Sequence, residues 1–192
     1  GWKLREIAVD GNCRVAGADF RAAIEDKPAL VSVMLANNET GVVQDVADLA
    51  QQARAARAWF HADAVQAFGK RPVDFRALNE AGVHALTLSA HKLGGPKGAG
   101  ALYIRKGAKI ARIQHGGSHE RNRRAGTENV PAIAGFGEAM RLALETMPEE
   151  AARLQKLRDR MIAGLTRIDG AHLNWHPTDR LPGNVNVSFA GA

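Results

Sequence analysis

Four apolar runs of strand length, "ALVSVMLAN" (29–37), "WFHAD" (59–63), "HALTLSA" (84–90) and "GALYIR" (100–105), each followed by turn residues, limit what this chain can become. Runs so short and so apolar suit strands covered on both faces, because a strand with one face in water alternates polar and apolar residues. Between the first two lies "VQDVADLAQQARAARA", where Val46, Leu49, Ala50 and Ala53 recur at helical spacing while Asp45, Asp48, Arg54 and Arg57 face elsewhere. Strand, amphipathic helix, strand is a βαβ unit. The expected fold is therefore α/β, a mostly parallel sheet with helices on both faces.

Further along, "NVPAIAGFGEAMRLALETM" carries Ile133, Phe136, Met140 and Leu144 on one stripe, and "PEEAARLQKLRDRMIAGLTRI" carries Leu154, Leu157, Met161 and Leu165 on another. The pattern predicts two long helices separated near Pro148, a residue suited to the first turn of a new helix. Strand character returns at "AHLNW" and "NVNVSF", joined through "HPTDRLPG". Residues 1–147 are thus expected to belong to a large α/β domain, and residues 148–192 to begin a small α+β domain.

A length of 192 residues allows one full core, a domain or a domain and a half. The single Cys13 permits no internal disulfide, and no stretch approaches the roughly 20 apolar residues of a membrane span, so a cytoplasmic protein is expected. A net charge of +6 hints at nucleic acid, but the Lys and Arg residues are scattered among acids along the helical patterns. Only "HERNRR" (119–124) concentrates positive charge, and it lacks the aromatic residues on which single-stranded bases stack. A small anion such as phosphate is the simpler partner. The opening "GWKLREIAVDG" has no initiator Met and no signal pattern, which suggests an internal fragment.

In an open parallel sheet, ligands sit beyond the carboxyl ends of the strands. The residues following the first run are Asn37, Asn38 and Glu39; the second ends on Asp63, with Gln66 three positions on; the third ends on Ser89, His91 and Lys92. A lysine amine in a partly desolvated site can condense with an aldehyde to form a Schiff base. A carboxylate against a pyridine nitrogen keeps that nitrogen protonated and makes the ring an electron sink. Lysine with aspartate therefore points to pyridoxal phosphate, with the Asn38 and Gln66 amides suited to its phenolic oxygen and Ser89 and His91 to its phosphate.

Taken singly, each residue has a plainer role: a solvated lysine for Lys92, N-caps for Asp63 and Ser89, a turn for Asn38. The run "GGPKGAG" serves tight turns as readily as it serves a phosphate, and it does not have the P-loop spacing.

The segments "NNETG" (37–41), "HADAVQAFGK" (61–70), "LSAHKLGGPKGAGALYIR" (88–105) and "HGGSHERNRRAGTEN" (115–129) together bring a family into view. With them the chain resembles, along essentially its whole length, the cysteine desulfurases of the NifS/IscS type, in the class V aminotransferase group of fold-type I pyridoxal-phosphate enzymes. The resemblance implies that Lys92 bonds the cofactor and moves protons, that Asp63 partners the pyridine nitrogen, and that Gln66 and Asn38 meet the phenolic oxygen. It also implies that Ser89 and His91 hold the phosphate and that Thr127 reaches the phosphate of the neighbouring subunit in a homodimer, with Arg121, Arg123 and Arg124 beside that anion. The implied activity is conversion of L-cysteine to L-alanine with sulfur passed to an enzyme cysteine as a persulfide, then to an iron–sulfur scaffold or another sulfur-acceptor protein.

The family's sulfur-accepting cysteine lies on a loop beyond residue 192, and Cys13, in "VDGNCRVAG", is read as a structural thiol. Also outside the chain are the segment that donates backbone groups to the phosphate and the histidine that stacks on the ring, so this stretch alone is expected to have no turnover. The pairs His115/His119 and His172/His176 stand four apart, but in glycine- or proline-bounded segments with no completing ligands, so no metal is expected. The competing readings are a selenocysteine lyase or another class V aminotransferase or lyase using the same Lys92 and Asp63, and a catalytically inactive module that dimerises or docks a scaffold. A nucleic-acid binder ranks last, and no membrane partner is expected.

Overall fold

A computed structural model describes residues 1–191. Its elements run α1 (Gly17–Glu25), β1 (Leu30–Met34), α2 (Val46–Ala55), β2 (Trp59–Asp63), α3 (Phe75–Ala81), β3 (Ala85–Ser89), β4 (Gly100–Ile104), α4 (Val130–Leu165), β5 (Ala171–Leu173) and β6 (Val187–Phe189). The main sheet has the order β1-β2-β3-β4. Strands β1, β2 and β3 run parallel, with Met34 beside Asp63 and Asp63 beside Thr87, so their carboxyl ends share one rim. Strand β4 is antiparallel to β3 and starts at that same rim, Gly100 opposite Ser89. The second sheet is the antiparallel pair β5–β6. The expected α/β architecture is present.

Local chemistry explains where the helices start. Asp45 caps α2 by accepting from the Asp48 amide, Asp74 caps α3 by accepting from Arg76 and Ala77, and Asn129 caps α4 by accepting from Ala132. The predicted stripe of α2, Val46, Leu49, Ala50 and Ala53, is buried. It packs in the same core as Val31 and Val33 of β1 and Phe60 and Ala62 of β2. A fully buried Phe60 contributes about 2–3 kcal/mol of transfer free energy.

Among the described residues, β1 and β2 bury one face more than the other, whereas Ala85 and Leu86 of β3 are both buried: Val31 and Val33 alternate with an exposed Leu30 and Ser32, and Phe60 and Ala62 alternate with half-buried Trp59, His61 and Asp63. Short apolar runs conceal this alternation, because Leu30 at 58 % and Leu102 at 50 % exposure are apolar residues in contact with water. The two predicted helices are a single helix, α4, of 36 residues with Pro148 inside it. A proline within a helix removes one N–H bond and costs about 3 kcal/mol. Good helix formers on both sides, Glu145, Met147, Glu149, Glu150 and Ala151, carry the helix through.

The predicted stripes of α4 are also only partly inward. Phe136 is buried, whereas Ile133, Leu144, Leu157 and Met161 are exposed. The second half of α4 is held instead by Arg158, which is buried and donates to the Leu181 carbonyl at 3.3 Å while pairing with Asp159 at 2.8 Å. The segment carrying Leu181 then closes over the turn after β1: the Leu181 amide donates to Gly41 O at 2.8 Å and the Val43 amide to Asp179 O at 3.0 Å.

Candidate active site

The end of β3 forms a compact turn. Ser89 closes the strand, a 3-10 turn spans Ala90–Leu93, and Gly94 ends it in the left-handed region. Ala90 is buried and anchors the turn, which leaves His91 and Lys92 exposed at the rim. Ser89 Oγ and His91 Nδ1 lie 2.7 Å apart, so this hydroxyl and imidazole form one polar unit. Among the described residues, Lys92 Nζ has neither a hydrogen bond nor an ion pair, so its amine is free at the rim.

On the neighbouring strand, Asp63 is half-buried at the last position of β2. Its Oδ1 accepts from the Val65 amide at 2.8 Å, an Asx turn that fixes the carboxylate's direction, and no described residue bonds Oδ2. The chain then coils tightly, with the Phe68 amide on Ala64 O and the Arg71 amide on Ala67 O, both at 2.9 Å. This coil brings Gln66 under Lys70, whose Nζ donates to Gln66 Oε1 at 2.9 Å. Gly69 has φ +74°, and a Cβ there would lie 2.7 Å from Leu93 Cδ2 and 3.1 Å from Ala143 Cβ. Glycine at this position therefore lets the coil after β2 press against both the lysine turn and α4. Burial holds the Lys70 ammonium below the usual lysine range, and the Lys92 charge adds to that effect.

The turn after β1 is built by Asn37, whose Oδ1 accepts from the Glu39 and Thr40 amides at 2.9 Å each. Asn38 is exposed on this turn, and its Nδ2 donates to Glu39 Oε1 at 2.7 Å. Asn184 and Asn186 donate to Glu39 O at 3.1 and 3.2 Å, so the C-terminal segment braces the rim. Gly41 has φ +72°, and any Cβ there would overlap the Asn184 side chain.

A polar row crosses the open sheet face just behind Asp63. Ser32 Oγ meets His61 Nδ1 at 2.8 Å, and His61 Nε2 meets Thr87 Oγ1 at 3.2 Å, which links three strands. Burial lowers the proton affinity of His61, and the Asp63 charge only partly opposes this.

Thus Asp63, Gln66, Ser89, His91 and Lys92 gather on adjacent strand ends, and Asn38 lies on the turn beside them. No described hydrogen bond ties Thr127 to this group; it is exposed in the loop ahead of α4. Arg121, Arg123 and Arg124 are exposed on the same loop, whose residues Glu120, Arg121 and Asn122 all have positive φ. The glycines after Lys92 serve packing: Gly95 and Pro96 lie against Ala139 and Gly135 of α4. Cys13 sits in a turn with φ +61°, where its carbonyl accepts from Gln44 Nε2 at 2.8 Å. His119 pairs with Glu128 at 2.9 Å, and His176 accepts from the Asp179 amide at 2.9 Å.

Sequence reading missed Lys70 and the partners of His61. The spacing of Gln66 and Lys70, one turn apart, was the available signal for the first. The second was detectable as polar residues at alternating strand positions, Ser32, His61 and Thr87, within runs read as wholly apolar.

The rim of the parallel strands thus carries Lys92 on the turn after β3 and Asp63 at the end of the neighbouring β2. The chain belongs to the Aminotransferase class-V family, whose model matches residues 1–192. Among known proteins it is 49% identical over 189 residues to "Cysteine desulfurase IscS" of Methanosarcina thermophila, covering 98% of this chain and 46% of that protein. To the protein of the same name from Clostridium botulinum it is 45% identical over 195 residues, covering 100% of this chain and 48% of the relative. A solved structure described as "NIFS-LIKE PROTEIN" superposes with a TM-score of 0.92 at 39% identity, covering 98% of this chain and 51% of the other. A NifS-like protein from Rickettsia africae gives 0.91 at 32% identity, covering 97% and 52%. The chain spans about half the length of the curated relatives it matches.

Proposed function

We propose that this chain is the lysine-bearing half of a pyridoxal-phosphate-dependent cysteine desulfurase. The observation that carries the reading is the pairing of a free Lys92 amine on the turn after β3 with Asp63, half-buried at the end of adjacent β2 with an unbonded Oδ2. The donor set suits the cofactor. Asp63 Oδ2 is an open acceptor for a protonated pyridine nitrogen, the Gln66 amide keeps its N–H donors free because its oxygen is taken, and the Ser89–His91 unit offers donors to a phosphate. When bound, pyridoxal phosphate supplies an electron sink for the bonds at the substrate's α carbon.

The chain's own residues then have defined tasks. Asp63 holds a negative charge against the ring nitrogen. Gln66 and Asn38 donate to the ring oxygen, and Ser89 and His91 orient the phosphate. Lys92 Nζ would hold the cofactor and would be the group placed to move a proton at the substrate's α carbon and the cofactor carbon. Thr127 and the 121–124 arginines serve the phosphate site of a second subunit in a homodimer. Residues 1–147 form the cofactor domain and 148–192 begin the smaller domain. The products are L-alanine and a persulfide on a cysteine of the parent protein, which passes sulfur to an iron–sulfur scaffold or another acceptor. We place the enzyme in the cytoplasm; among the described residues no helix is long and apolar enough to cross a membrane.

The test is borohydride reduction of the full parent chain with pyridoxal phosphate, followed by peptide mapping, beside Lys92→Ala. A single adduct on Lys92, together with alanine release from cysteine that is lost in the variant, is the expected result. Adducts spread over many lysines, or none, would overturn the reading.

A further inference from the structure

Among the described residues, Lys70 is a half-buried cation without a carboxylate partner. The charged groups around it are Lys92 from the turn after β3, Arg71 from its own coil, and Arg158, Asp179 and Arg180 across a groove of about 400 Å³. The one acid among these, Asp179, is engaged by Arg14 and His176. A partly desolvated ammonium that also feels the Lys92 charge is costly. Among the described residues, the Lys70 side chain bonds Gln66 Oε1 alone, at 2.9 Å. A lysine ammonium has only donors, so this contact fixes which end of the Gln66 amide faces Lys70. The oxygen is held, and the NH2 group is the end left to the rim. Gly69, between the two residues, packs the coil against Leu93, one residue from Lys92.

We propose that Lys70 is a positioning residue: it holds the Gln66 amide with its N–H donors turned toward the ring oxygen of the cofactor bonded to Lys92. The inference rests on the functional reading above and adds a residue to it. Without Lys70, Gln66 rotates freely, its oxygen competes for the same position, and the ring oxygen loses a donor that stabilises its anionic form.

The test uses the full parent holoenzyme and the visible absorbance of its lysine-bound cofactor, titrated with pH, together with cofactor affinity by dialysis. Lys70→Met is expected to raise the absorbance midpoint by about one pH unit and to weaken cofactor binding about tenfold. Lys70→Gln and Lys70→Arg, which retain a donor for Gln66 Oε1, are expected to recover most of both. In a Gln66→Leu background, Lys70→Met is expected to change the midpoint no further, because its effect runs through Gln66. If Lys70→Met does not fold, the same comparison is made with Lys70→Gln and Lys70→Arg against Gln66→Leu, where a midpoint in either lysine variant equal to that of Gln66→Leu overturns the proposal. A wild-type midpoint in Lys70→Met, or a shift that adds in full to that of Gln66→Leu, likewise overturns it and leaves the desulfurase reading standing. Absence of any Lys92-bound cofactor in the wild type sinks both.

Discussion

Ser32 Oγ and His61 Nδ1 face each other at 2.8 Å across β1 and β2, while the other nitrogen of the ring reaches Thr87 on β3. Both nitrogens are committed to hydroxyls in a half-buried position, and burial holds the ring below the ordinary histidine value. The unfolded chain therefore binds this proton more readily than the folded one. Stability is full above about pH 6.5 and falls as the pH drops below that value toward the folded pKa. Denaturant midpoints measured at about pH 7.5 and pH 5.5 should show the loss, and His61→Gln should reduce it. An unchanged pH dependence in that variant would remove His61 from this role.

His84 acts in the same direction by another route. Its Nδ1 accepts from the Phe60 amide at 3.1 Å and its ring stacks on Trp59 at 4.9 Å, while burial and the Arg105 and Arg54 charges lower its proton affinity. His84→Ala leaves the buried Phe60 N–H without a partner and should cost about 2–3 kcal/mol. His84→Asn, which offers an oxygen near the same place, should recover part of it in urea unfolding. Equal losses in the two variants would show that stacking, not the acceptor, matters.

Gly69→Ala tests the contact between the coil and the lysine turn. The position combines φ +74° with a 2.7 Å approach to Leu93 Cδ2, so the substitution brings both strain and a clash. A stability loss of about 2–3 kcal/mol is expected, with weaker cofactor binding in the parent protein because the turn carrying Lys92 must shift. Wild-type affinity in a destabilised variant would separate packing from the site.

Pro148→Ala should stabilise the protein. The helix continues through this residue with one hydrogen bond missing, and alanine both restores it and removes the ring. A gain of about 1–3 kcal/mol in denaturant unfolding is expected. A loss would mean that the proline's local geometry is used in packing α4 against the 178–182 segment.

The sheet was legible because short apolar runs alternate with an amphipathic helix and end in polar residues. Asp63, Gln66, Ser89, His91 and Lys92 lie on adjacent strand ends because the register of β2 with β3 leaves them no other place. The break at Pro148 was misread because proline suits a helix start as well as it interrupts one, and local preference cannot say whether flanking turns will hold. The open sheet face was hidden by apolar residues such as Leu30 and Leu102 on its solvent side. For Lys70 the sequence offers only its one-turn spacing from Gln66, and that spacing gains meaning from partial burial and the bond to the Gln66 amide. Thr127, exposed in the loop ahead of α4, is tied to these residues by no described hydrogen bond.

The brace on the turn after β1 also orders events in time. Glu39 O receives the Asn184 amide from 145 residues further along the chain. A ribosome adding about 5–20 residues per second needs roughly 7–29 s to cover that stretch. The first strand, its turn and the lysine are all outside the exit tunnel well before Asn184 is made. The turn after β1 therefore gains this brace only after Asn184 has been made, long after the turn itself.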